Sequence, residues 1–230
     1  FGVSSNNAVV SNDADFIGTL PDANELAARL NAKLIKPRQS ARTALVAQIK
    51  MKASRGREAN IDVLHQLFTL GPLSERVVFT RRVVARSVRA QWSEGVIIRV
   101  MDPFDLLEAR IQNAAGLYED RFKGPHVVTQ AQWALEVGKA ALFTIASGRG
   151  PAAERLGRRI QQLYKLATSR PGRTVYQLHG IDVLEAIDAD LLEAIAPGCA
   201  PQLLAVRQEQ WRRQTGMTTP PNSDASPSPA

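Results

Sequence analysis

The spacing of apolar residues changes period at Asp102-Pro103, and this change restricts the chain to one broad architecture. Upstream, strand periodicity dominates. Leu45, Ala47, Ile49 and Met51 alternate with polar or small residues. A turn follows at Ser54-Arg55-Gly56-Arg57, and Ile61 to Leu64 resumes the pattern, so residues 44–66 read as a β-hairpin. A second hairpin is predicted from Val83 through Trp92, turning at Ser93-Glu94-Gly95 and returning from Val96 to Val100. Asp15 to Gly18 reads as a short strand. Pro21-Asp22 opens a helix with Leu26 and Leu30 on one face, because Pro suits the first turn and Asp the N-terminal dipole.

Downstream of Pro103 the spacing is helical. Phe104, Leu107, Ile111, Ala114 and Ala115 mark one helix, and others are predicted at about 127–146, 152–168, 174–187 and 200–213. Gly148-Arg149-Gly150-Pro151 and Pro171-Gly172 break them. Trp133, Phe143 and Tyr164 are expected in the core of these helices rather than as base-stacking platforms. Strands with a helix, then a run of helices, define an α+β chain: a sheet-bearing region over 1–102 and a helical region over 103–214. Residues 215–230 are rich in Pro, Ser, Thr and Asn and read as a disordered tail.

Composition narrows the function classes. No apolar run approaches the roughly 20 residues of a membrane span, so no membrane partner is expected. The start is neither basic nor followed by an apolar stretch, which argues against a signal peptide. The single cysteine, Cys199, excludes an intrachain disulfide and reads as a small buried residue in a reducing, cytoplasmic setting. His65, His126 and His179 form no zinc spacing. The net charge of +7 favours polyanionic partners such as RNA or nucleotides. Its densest basic group is Arg76, Arg81, Arg82, Arg86 and Arg89, either a solvated face or a phosphate-binding patch.

The residues that carry chemistry are aspartates. Asp13 and Asp15 stand two apart at the mouth of a short apolar run, and on a strand such residues share a face. Two carboxylates placed this way suit a hard cation such as Mg²⁺, which takes oxygen ligands from carboxylates and substrate phosphates. The same spacing also occurs in solvated loops and at helix N-caps. Asp62 sits among apolar residues in Asn60-Ile61-Asp62-Val63-Leu64, where a charge either faces solvent or requires a partner. If its strand lies beside the first, three carboxylates converge and suffice for two Mg²⁺ ions about 4 Å apart.

In this order the motifs resemble the polymerase-beta-like nucleotidyltransferases. Ser11-Asn12-Asp13-Ala14-Asp15-Phe16-Ile17-Gly18 looks like that superfamily's Asp-x-Asp strand, and Ile61-Asp62-Val63-Leu64 resembles the strand of its third carboxylate. The segment Val100 to Asn113 is similar to the helix after the catalytic core in toxin-type, abortive-infection-related members. Pro103, Leu107, Arg110 and Asn113 match that helix. The resemblance covers about residues 1–117 and implies a mixed β-sheet with flanking helices. It further implies Mg²⁺ or Mn²⁺ on Asp13, Asp15 and Asp62, an NTP substrate, and a bacterial toxin–antitoxin setting with RNA or a cognate antitoxin protein as partner.

The family also carries a Gly-Gly or Gly-Ser turn whose backbone N–H groups and following helix hold the triphosphate. Gly2 with Ser4 or Ser5 is either a degenerate form of that turn or the end of its helix, with the turn lost upstream of Phe1. The polar run from Ser4 to Val10 favours the second reading, an N-terminally truncated chain. Arg110 and Asn113 share a helix face and either bind substrate or pin the helix, with pinning preferred. Lys50 and Lys52 share a strand face and either meet phosphate or face solvent, with solvent preferred. His65 follows the Asp62 strand and reads as structural. The alternative to an enzyme is a catalytically inactive relative that binds nucleic acid or protein.

Overall fold

The structure, a computed structural model, describes residues 13–38, 43–52, 58–93, 96–120, 124–148 and 152–216. It is an α+β chain that divides into two compact units, Phe1–Asp102 and Pro103–Ala230. The tail predicted over 215–230 lies outside the described residues from 217 onward.

The first unit contains β1 (Asp13–Ile17), α1 (Leu20–Arg29), β2 (Lys33–Ile35), β3 (Leu45–Lys52) and β4 (Glu58–Leu64). These are followed by α2 (Leu73–Arg86), β5 (Val88–Ser93) and β6 (Val96–Val100). A four-stranded mixed sheet has the order β1-β4-β3-β2, with β1 parallel to β4 and the other pairs antiparallel. The hairpin read over 44–66 is β3 and β4. Strands β5 and β6 form a separate two-stranded sheet.

Local chemistry sets both ends of α1. At its start, Thr19 and Asp22 form a reciprocal capping box: the Thr19 N–H and hydroxyl donate to Asp22 Oδ2 at 2.7 and 2.6 Å. Both bonds favour the carboxylate and hold the Asp22 pKa below its usual value, the hydroxyl bond contributing most. At its end, Ala32 N–H donates to Ala27 O and Asn31 N–H to Ala28 O, while Asn31 takes a φ of 47°. This is a Schellman closure on asparagine, a residue that tolerates the left-handed region, and it delivers the chain into β2. The buried face of α1 is Ala23 and Ala27, packed with Ala47, Ile49 and Val63 from the sheet. Leu30, expected on that face, is exposed at the helix end.

Two expectations for this unit are corrected. Val83 to Arg86 are helical, so the predicted strand begins only at Val88. The buried residues of α2, Phe79, Thr80 and Val83, follow helical spacing while Val77, Val78 and Val84 are exposed; a run of β-branched residues hid that period. Thr80 Oγ1 accepts from Leu67 N–H at 2.9 Å and donates to Arg76 O at 2.7 Å, tying the approach loop to α2. The three-residue edge strand β2 was also not anticipated.

The second unit is helical: α3 (Pro103–Gly116), α4 (Gly124–Ala146), α5 (Ala152–Thr168), α6 (Arg170–His179), α7 (Ala189–Ile195) and α8 (Ala200–Thr215). Short 3-10 turns lie at Val183–Ala186 and Pro197–Cys199. Its core includes Leu107, Ile111, Leu142, Ile160, Leu163 and Leu184. The helix predicted over 174–187 is two elements. Ser169 and Pro171 start α6 earlier, and Gly180, at φ 67°, ends it in the left-handed conformation. Trp133 and Phe143 are not core: they are 44% and 49% exposed, because they fall on the outward side of α4. Cys199 is buried, as expected, and desolvation raises its thiol pKa.

Arg213 organises this unit. It meets Asp182 at 2.7 Å, Ala167 O at 2.9 Å and Glu209 at 3.2 Å, with its guanidinium over the Tyr176 ring. One side chain therefore links α8 to α5, α6 and the Val183 turn, whose Leu184 N–H Asp182 also caps. Among the described residues no helix is long and apolar enough to cross a membrane.

Candidate functional site

The two faces of the four-stranded sheet differ in chemistry. Ala47, Ile49, Ile61 and Val63 lie on the side packed with α1. Alternation places Asp15, Asp62, Gln48 and Lys50 on the other. This polar face carries Asp15 and Asp62, two of the three predicted carboxylates.

Parallel pairing of β1 with β4 brings Asp15 opposite Asp62 and position 13 opposite Asn60. Neighbouring strands lie about 4.8 Å apart, so side chains at positions 15 and 62 leave the same face as close neighbours. Asp15 is exposed and Asp62 half-buried. Position 13 falls on the same side of the pleat as position 15; the side chain of Asp13 is outside the described residues. Gly18 N–H extends the pairing by donating to Leu64 O at 2.9 Å.

Antiparallel pairing continues the row. Gln48 lies opposite Asp62, and its Nε2 donates to Asp62 Oδ1 at 2.9 Å. That bond fixes one carboxylate oxygen and leaves Oδ2 as a second, separate acceptor. Lys50 lies opposite Asn60, and Lys33 opposite Lys50. One cross-strand row therefore reads Asp15, Asp62, Gln48, Ile35; the next reads position 13, Asn60, Lys50, Lys33.

The remaining predicted site residues are not among the described residues of these four strands. Gly2, Ser4 and Ser5 lie outside the described residues. Arg110 and Asn113 are on α3 in the helical unit, where Arg110 Nη1 donates to Gln130 Oε1 at 2.9 Å and ties α3 to α4. His65 is exposed just beyond β4, its N–H bonded to Ala44 O. Lys52 is exposed and Lys50 half-buried. In the arginine group, Arg76 and Arg82 lie over the Phe68 and Phe79 rings, which gives both a packing role.

Sequence reasoning missed Gln48. A signal for Gln48 was present: a hairpin folded about residue 55 pairs position 48 with position 62. Among the described residues there is no group of three or more His, Cys, Asp or Glu side chains that could hold a metal ion. The described carboxylates at the site are two, Asp15 and Asp62. Their donor set is all oxygen, which fits a hard divalent cation and not a soft one.

Comparison with known proteins gives no matching family model, no matching curated protein and no matching solved structure.

Proposed function

We propose that this chain is a nucleotidyltransferase of the polymerase-beta-like kind, moving a nucleoside monophosphate from an NTP to a hydroxyl on RNA, protein or a small molecule. The observation that carries this reading is the β1–β4 register, in which Asp15 lies directly opposite Asp62 on the polar face. Asp15 and Asp62 then share one patch, and position 13 falls on the same side of β1, which supports two-metal chemistry. In the reaction, the acceptor oxygen bonds to the α-phosphorus, the bond to pyrophosphate breaks and the acceptor proton is lost to solvent. Bound Mg²⁺ or Mn²⁺ would supply activation of that hydroxyl and neutralisation of the leaving pyrophosphate.

Asp13, Asp15 and Asp62 would hold the cation, and Gln48 would orient Asp62. Pro103, Leu107, Arg110 and Asn113 support the toxin-type branch and a bacterial defence setting. Arg110 is read as a pin between helices rather than a substrate ligand, because its guanidinium is engaged by Gln130.

The test is transfer of label from α-³²P-NTP with Mg²⁺, by wild type and by Asp15→Ala. Loss of several kcal/mol of transition-state stabilisation predicts at least about a 10²-fold fall in rate with the far-UV spectrum unchanged. Equal labelling by the folded variant rejects the role of Asp15.

A further inference from the structure

The polar sheet face is electrically divided. Its carboxylates lie on β1 and β4; its lysines lie on β3 and on β2, at the opposite edge. The chain itself encodes this division, since no acidic residue occurs between Glu25 and Glu58 while nine lysines and arginines do. Lys36 and Arg38 continue the basic run just past β2, and both are exposed.

Edge strands are often blunted by lysine to prevent strand addition, and that accounts for Lys33 alone. It does not account for Lys50, on the interior strand β3. Lys50 stands directly opposite Lys33 in an antiparallel pair, an arrangement of like charges that destabilises a sheet. Lys52 lies opposite Glu58, whereas Lys50 lies between Lys33 and Asn60 with no carboxylate opposite it on either side. A bound polyanion would relieve this repulsion.

We propose that the β2–β3 side of this face is a binding surface for the phosphate backbone of a nucleic acid, with Lys33, Lys50 and Lys52 as its contacts. The acceptor of the transfer reaction is then a nucleic acid whose chain runs from these lysines toward Asp62. As an acceptor site it rests on the nucleotidyltransferase reading; as a binding surface it does not. The length of the basic run, continuing through Lys36 and Arg38, favours a long backbone over a single triphosphate. On the described part of this face no aromatic side chain offers a stacking platform, so recognition is by charge and not by base.

The experiment measures binding of fluorescein-labelled oligouridylate to the full chain by anisotropy, across a salt series in EDTA with no NTP. Each lysine that meets a phosphate contributes about 0.7 to the slope of log K against log salt for a single strand. Lys33→Ala/Lys50→Ala/Lys52→Ala is expected to weaken binding and reduce that slope by about 2. Lys33→Glu/Lys52→Glu changes two exposed side chains only, and is expected to weaken binding whether or not the triple variant folds. Asp15→Ala is expected to bind no more weakly than wild type. An unchanged slope in a folded lysine variant overturns the proposal. So does displacement of the oligonucleotide by poly-glutamate at equal charge concentration, which marks an acidic-protein surface. Loss of ATP binding with an unchanged oligonucleotide slope marks a triphosphate subsite and overturns it as well. Absence of NTP labelling in wild type, with the lysine-dependent slope intact, sinks the catalytic reading and leaves the surface standing.

Discussion

The two units treat charge in opposite ways. In the helical unit, charged side chains are paired into the structure. Arg213 joins Asp182 with both side chains about nine-tenths buried, and Arg207 bridges Asp190 and Glu193 across α7 and α8. The Arg207 pairings raise its pKa further, through hydrogen bonds to Glu193 first and Asp190 second. In the sheet unit, Lys33 and Lys52 stand exposed and aligned by backbone register, Lys33 opposite Lys50 and Lys52 opposite Glu58. The helical unit carries nearly balanced charge, with 14 basic and 13 acidic residues, whereas the first unit has 15 against 9. A buried, hydrogen-bonded pair maintains packing; like charges directly opposed across strands cost stability.

The largest predicted contrast comes from removing one charge on each side of this comparison. Arg213→Ala leaves Asp182 nearly buried without its partner and strips a cap from Ala167 O. It is expected to cost about 3 kcal/mol in urea unfolding of the full chain. Lys33→Ala is expected to change stability by no more than about 0.5 kcal/mol. Equal costs would erase the distinction between structural and functional charge.

A second contrast sits in the helical unit alone. A Cβ on Gly172 would lie 2.1 Å from Leu166 O and 2.9 Å from Ala167 O, both backbone atoms. Gly172→Ala is therefore expected to cost about 2 kcal/mol or more, read as a lower urea midpoint. A variant as stable as wild type would show that the α5–α6 junction has room to relax.

Gln48→Leu sharpens the other side. Under the proposed function Gln48 acts as a positioning residue, through its bond to Asp62 Oδ1. The expected effect is about a 10-fold rise in the Mg²⁺ concentration needed for half-maximal transfer. A fall in rate at saturating Mg²⁺, with no shift in the Mg²⁺ requirement, would argue against that role.

The smallest effect concerns acid. Asp22 has a folded pKa below its unfolded value, so its contribution is present above about pH 4 and is lost as pH falls through the folded pKa. Wild type is expected to lose stability over that window faster than Asp22→Asn. Parallel acid limbs would mean that the capping box does not hold the carboxylate ionised.

Much of this arrangement was legible in the chain. Alternation through Ile49 and Ile61 gives the hairpin, and Pro21 with Asp22 gives the start of α1. The helix over Ala152–Thr168 falls where its apolar spacing placed it. The parallel contact of β1 with β4 was not legible, because a sequence does not show which strand lies next to which when a helix and two strands intervene. That contact decides whether Asp15 and Asp62 meet. Residues Val83 to Arg86 misled because β-branched side chains suit strands intrinsically, while packing of Phe79, Thr80 and Val83 selects the helix. Trp133 and Phe143 misled because size does not determine which side of a helix faces the core.

Asp15 and Asp62, opposed across β1 and β4, are proposed as a divalent-cation site. Titration of Mn²⁺ into the full chain with ATP, followed by electron paramagnetic resonance, measures that site without depending on turnover. Wild type is predicted to bind Mn²⁺, and Asp15→Asn/Asp62→Asn to lose that binding while keeping its circular dichroism spectrum. Equal Mn²⁺ binding by the folded double variant would contradict the account.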